Sequence, residues 1–243
     1  MADLEPPDGS EDSEPGGGIG IGSFLNTAPR AIGSITALIG AITGLLIALN
    51  KVGILDGNDG GGGTTTTEMP GSGLFGPFTR PVGRVYFDGK TMYVKAAVPG
   101  RPLLVLANQE KPLQDVTMSA HVKWVSGASD YGLGLICRYE SNRTYYLLAV
   151  LSGGRYNIAR YRDGNLTSLT GIQTSNTIKE GANDITARCV GDQPTGLTLQ
   201  ANGQTVAAVK DAEGIEGGNI GVRVGSSESF VTISFDDFVL KYL

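Results

Sequence analysis

The chain has little of the chemistry on which most enzymes and metal sites rest. Its 243 residues include two cysteines, one histidine and one tryptophan. An ordinary structural zinc site takes four Cys or His ligands, so that class is excluded. The lone histidine, His121 in "SAHVKW", has no evident Ser or Cys nucleophile beside it. That argues against a catalytic triad and for a hydrogen-bonded or surface strand residue. A surplus of one charge is also lacking where it would count. From Leu74 onward 17 Lys and Arg stand against 15 Asp and Glu, which leaves no electrostatic footprint for nucleic acid. The formal charge of −5 arises at the amino end, where the first thirty residues hold six acids and one base.

What the chain does have is glycine, 37 residues of it, with 11 prolines, partly in linkers and partly between short apolar runs. Residues 1–30 are acidic, Pro- and Gly-rich, and expected to form a disordered tail, because they bury too little surface to offset the entropy of ordering. Residues 31–55 follow, "AIGSITALIGAITGLLIALNKVGIL", of which Ala31 to Leu49 carry no charge. Nineteen residues at about 1.5 Å each nearly cross a ~30 Å hydrocarbon core, so this segment predicts a single transmembrane helix. The long acidic approach and the lack of a small-x-small cleavage site argue against a removed signal peptide. Gly40 and Gly44 form a GxxxG spacing that allows two such helices to pack as a homodimer; the alternative is that the small residues serve lipid solubility alone. Arg30 and Lys51 balance across the span, so charge does not set its direction. The expectation is a single-pass protein with its carboxyl-terminal domain outside. Residues 56–73, "DGNDGGGGTTTTEMPGSG", read as a flexible tether.

Residues 74–243 change texture, to short alternating segments parted by turn residues. Asp88-Gly89, Gly153-Gly154, Asp163-Gly164 and Asn202-Gly203 are dipeptides favoured where φ must be positive in tight hairpins. The spacing predicts strands at Tyr131–Glu140, Thr144–Leu151, Arg155–Arg162 and Leu166–Leu169, and later at 184–190, 197–201, 205–210, 219–224 and 230–240. In "VTISFDDFVL", Val231, Ile233 and Phe235 alternate and then slip at Asp236 and Asp237 before Phe238 and Leu240 resume, the pattern of a β-bulge. Both faces of "TYYLLAV" are apolar, as for a central strand covered on two sides. The fold class is all-β, two packed antiparallel sheets. Cys137 and Cys189 fall in predicted strands, where they form either a disulfide or two buried thiols.

The run from Tyr131, "YGLGLICRYESNRTYYLLAVLSGGRYNIARYRDG", followed by "NDITARCVG", "LTLQANGQTVA" and "GGNIGVRVGSSESFVTISFDDFVL", resembles the concanavalin A-like lectin/glucanase jelly roll. It is most similar to the bacterial branch that includes 3-keto-disaccharide hydrolase and laminin-G-like modules. The resemblance implies a jelly-roll β-sandwich over roughly 74–243. It implies sugar binding, glycoside hydrolysis or a protein-interaction role without choosing among them.

A glycosidase needs two carboxyl groups about 5 to 10 Å apart. The E-x-D-x-x-E strand of the glucanases has no counterpart here, Glu140 stands alone, and adjacent Asp236 and Asp237 would point to opposite faces of a regular strand. A bulge would turn both outward, which makes them structural caps or calcium candidates. No other cofactor is implied. Sugar recognition instead needs aromatic faces and a few orienting polar groups. Alternation puts Tyr156, Ile158, Arg160 and Arg162 on one strand face, and with Arg138 and Tyr146 nearby these residues form the candidate ligand surface. The alternative is that the tyrosines pack the sandwich with their hydroxyls at its edge. The expected function is non-catalytic recognition of a glycan or surface polymer, with a glycoside hydrolase or a structural interaction module as the alternatives.

Overall fold

The computed structural model describes residues 65–68 and 71–242. The tail, the apolar span at 31–55 with Gly40 and Gly44, and the tether before Thr65 lie outside these residues, and no described helix is long and apolar enough to cross a membrane. Sixteen strands and one short helix follow in order. They are β1 (Thr65–Glu68), α1 (Gly71–Leu74), β2 (Phe78–Arg80), β3 (Gly83–Asp88), β4 (Thr91–Ala96), β5 (Leu103–Leu106), β6 (Val116–Gly127), β7 (Gly132–Ser141) and β8 (Thr144–Leu151). Then come β9 (Arg155–Arg162), β10 (Asn165–Ser168), β11 (Gln173–Thr174), β12 (Ala182–Val190), β13 (Thr195–Ala201), β14 (Gln204–Asp211), β15 (Asn219–Gly225) and β16 (Val231–Tyr242).

They form two antiparallel sheets. The first runs β14-β13-β12-β6-β16-β4-β3-β2, with β1 beside the far end of β16. The second runs β10-β9-β8-β7-β15-β5, with β11 also on β9. The β7-β8-β9-β10 meander follows from its turns: Gly153, Gly154, Asp163 and Gly164 all adopt positive φ, as the dipeptides required. Thr65–Glu68, within the stretch read as tether, is a strand because its β-branched threonines find a partner in Val239–Tyr242.

Alternation decides what fills the space between the sheets. Met92, Val94 and Ala96 of β4, Met118, Ala120 and Val122 of β6, and Leu197, Leu199 and Ala201 of β13 all point inward. On β16, Val231, Ile233 and Phe235 enter the core, the register against β6 shifts between Asp236 and Val239, and Phe238 and Leu240 enter it again. Asp237 takes φ +49 at that bulge, a conformation Asp tolerates better than most residues. Cys137 on β7 and Cys189 on β12 join the two sheets through a disulfide, with Cα atoms 6.6 Å apart.

Strand β8 does not alternate in burial because both its faces are covered. Tyr146, Leu148 and Val150 belong to the core between the sheets. Tyr145, Leu147, Ala149 and Leu151 form a second apolar cluster with Ile136 on the opposite face of the second sheet. Gly134 faces this cluster, where a Cβ would lie 2.6 Å from Leu147 Cδ1 and 2.9 Å from the Leu148 carbonyl oxygen. No side chain fits there.

Candidate functional site

The residues expected to form an open ligand surface turn instead toward the other sheet. Arg138 is fully buried, at φ +52, where the register between β7 and β8 shifts. Its Nη1 donates to the Ile215 carbonyl at 2.6 Å and to Thr195 Oγ1 at 3.0 Å. Nη2 donates to the Gly191 carbonyl at 2.6 Å, and Nε donates to the Gln114 carbonyl at 3.2 Å. It is a buried tie-point between loops. Arg160, 7% exposed, donates to both carboxylate oxygens of Asp211 and pairs with Glu213 at 2.9 Å. Burial pulls its pKa down, but the hydrogen bonds to Asp211 and Glu213 outweigh that and carry it above the ordinary arginine value.

Tyr146 donates its hydroxyl to Asp211 Oδ2 at 2.7 Å. Burial first, and then that bond to a carboxylate, push its pKa up to about 12. Arg162 reaches Glu213 and the Gly214 carbonyl, and Tyr156 packs against the core. The structure therefore brings Tyr146, Arg160 and Arg162 together around Asp211 and Glu213, at the end of β14 and just past it. Arg138 joins this group through Thr195, which hydrogen-bonds both Arg138 and Tyr146. The strand parity is as expected, but its polar face closes on acids supplied fifty residues later.

The remaining polar candidates are also accounted for. His121 Nδ1 lies 2.7 Å from Asp184 Oδ1 across β6 and β12. Thr91 donates to Asp236 and Asp237 is exposed at the bulge. Among the described residues no three His, Cys, Asp or Glu side chains are grouped to hold a metal ion. Glu140 stands on the second sheet and Asp237 on the first.

A cleft of about 460 Å³ opens where β2, at the edge of the first sheet, passes β5 and the end of β7 in the second. Its apolar wall includes Phe78, Leu104 and Leu106, and its polar groups are Arg80, Asn108, Asn142 and the Tyr139 hydroxyl. Arg80 sits over the Phe78 ring at 5.0 Å, which holds both at the rim. Burial raises the Tyr139 pKa, and the nearby Arg80 charge partly opposes it. Tyr139 begins a ladder of rings, stacked on Tyr145 at 5.8 Å, which stacks on Tyr161 at 4.5 Å. Arg223 lies over Tyr161 and donates to its hydroxyl at 2.6 Å. Burial pushes the Tyr145 pKa up strongly. No Asp or Glu lines the cleft.

Sequence reasoning missed this place because Phe78, Arg80 and Asn108 come from strands and loops before the recognised meander. Tyr139 was visible only as one aromatic among many. The one available signal was composition, five Lys or Arg against one acid in residues 74–109.

No protein-family model and no curated protein matches this chain. Solved structures do. The carbohydrate-binding module CBM66 from Bacillus subtilis superposes with a TM-score of 0.53 at 14% identity, covering 68% of this chain and 94% of that one. The fold is the concanavalin A-like jelly roll. A β-glucanase from Bacillus licheniformis matches with a TM-score of 0.48 at 9% identity, over 76% of this chain and 95% of its own. A Bacillus subtilis protein of unknown function with a galectin-like fold matches with a TM-score of 0.49 at 9% identity, over 66% of this chain and 87% of its own. At such identities the likeness defines the fold and no site residue passes across.

Proposed function

We propose that this protein is a non-catalytic recognition module that binds glycan in the cleft between β2, β5 and β7, and that residues 31–55 hold it in a membrane with the jelly roll outside. The observation that carries the reading is the make-up of the cleft: two aromatic rings and aliphatic walls beside Arg80, Asn108 and Asn142, with no carboxylate in its lining. Pyranose rings present apolar C–H faces with hydroxyls at their edges, and Phe78 and Tyr139 with the two amides answer both. Hydrolysis of a glycosidic bond takes two carboxyl groups across the scissile oxygen, which this cleft does not supply.

Two further points support the reading. The fold is shared with a carbohydrate-binding module, and the Cys137–Cys189 bond suits an oxidising compartment. A single shallow cleft binds weakly, and display on a membrane raises effective concentration enough for such sites to act together.

The test is binding of the full chain, in detergent, to a panel of neutral and acidic saccharides, repeated with Tyr139→Ala and Arg80→Ala. Retention of a saccharide that both substitutions abolish supports the assignment. Release of reducing ends by the wild type, lost in Glu140→Gln or Asp237→Asn, would replace it with a hydrolase.

A further inference from the structure

The outward face of the first sheet carries a second surface that the cleft does not use. On β3 and β4, Val85, Met92, Val94 and Ala96 are in the core, so Arg84, Tyr86, Tyr93 and Lys95 face away from it. The register places Arg84 directly opposite Lys95 and Tyr86 opposite Tyr93. Facing Cβ atoms in an antiparallel pair lie about 5 Å apart, so two cations are held side by side, and like charges in that position are mutually destabilising. Neither takes part in an ion pair among the described residues. Each sits over an aromatic ring instead: Arg84 at 4.8 Å from Tyr86, and Lys95 at 4.6 Å from the exposed Phe230. Tyr86 and Tyr93 stack with ring planes 6° apart and centroids 5.0 Å apart.

The neighbouring strand completes a trough. Thr232 lies opposite Lys95, and Ser234 lies opposite Tyr93 on one side and Lys123 on the other. Both hydroxyl residues are 4% exposed and form its floor, with exposed Lys123 on the far wall. Of the acids on this face, Asp236 is engaged by Thr91 and Asp184 by His121, and the exposed Asp88 stands at the end of β3, two positions beyond Tyr86. The trough therefore joins three cations, two stacked phenol rings and a hydroxyl floor.

We propose that this trough binds an acidic polysaccharide, with Arg84, Lys95 and Lys123 taking its carboxylate or sulfate groups while Tyr93, whose other face is backed by Tyr86, stacks on a sugar ring. Charge complementarity selects the anion, and the aromatic pair selects a sugar chain over a bare polyanion. Three cations fall short of the four to eight that mark an anionic-lipid patch. A near-neutral domain lacks the footprint of a nucleic-acid binder. The trough lies on a different sheet face from the cleft, so the two assignments stand or fall separately.

The experiment is affinity electrophoresis of the full chain in detergent through gels containing hyaluronate, dextran sulfate or neutral dextran. Hyaluronate or dextran sulfate should retard the protein, the first result identifying carboxylate and the second sulfate, while neutral dextran leaves this face idle. The double variant Arg84→Gln/Lys95→Gln removes two exposed charge contacts and should weaken retardation about tenfold. Arg84→Lys should keep most of it. Far-UV circular dichroism checks that each variant is folded. No retardation of the folded wild type by either polyanion, or equal retardation of the double variant, overturns the proposal. So does duplex DNA or a phosphatidylglycerol vesicle that binds as tightly through the same two residues.

Discussion

Removing the disulfide should lower stability by about 4 kcal/mol. Cys137 and Cys189 are both fully buried and tie β7 in one sheet to β12 in the other, across 52 residues of sequence. Opening a loop of that length returns chain entropy to the unfolded state, and the loop-closure relation gives about 4 kcal/mol at 25 °C, within the 2 to 5 seen for native bridges. A Cys137→Ala/Cys189→Ala variant, compared with the oxidised wild type by urea titration, should therefore lose about 2 M of midpoint at a slope of about 2 kcal/mol/M. Its Tm should fall by about 10 °C, since each kcal/mol moves a domain of this size by about 2–4 °C. Reductant should bring the unfolded wild type to the same refolding curve. A midpoint change worth less than about 1 kcal/mol would refute the reasoning, as would two reactive thiols in the native protein.

Arg138→Met should cost about 3–5 kcal/mol by denaturant titration, because it strands the buried Gly191 and Ile215 carbonyls as well as Thr195. An exposed arginine would cost a few tenths. Burial, and then the bond to Asp211, raise the folded pKa of Tyr146 from 10.0 to about 12, so the protonated side chain stabilises fully below pH 10 and that contribution is lost as pH rises through 12. Stability should therefore fall by about 2–3 kcal/mol more across that window in the wild type than in Tyr146→Phe, read from urea midpoints at each pH. Asp237→Gly should leave stability unchanged or raise it by up to about 1 kcal/mol, since its φ of +49 suits glycine, whereas Asp237→Val should lower the Tm.

Much of the architecture was legible because turn chemistry and side-chain period are local properties. Thr144–Leu151 and Arg155–Arg162 were delimited to the residue, and the slip at Asp236 and Asp237 marked a real bulge. Partner choice was not legible. Nothing near Arg160 in sequence announces that Asp211 will close over it, so its face read as a surface when it is an internal ion pair. The edge strands β2 and β5 are only three and four residues long, too short for a period to show, and they carry much of the cleft.

The most direct test of the central claim is isothermal titration of the full chain with whichever saccharide the panel retains, beside the Arg80→Ala/Tyr139→Ala double variant. The cleft assignment predicts a saturable heat in the wild type and its loss in the variant, with far-UV circular dichroism showing the variant folded. Equal affinity in both proteins would place the ligand elsewhere and contradict it.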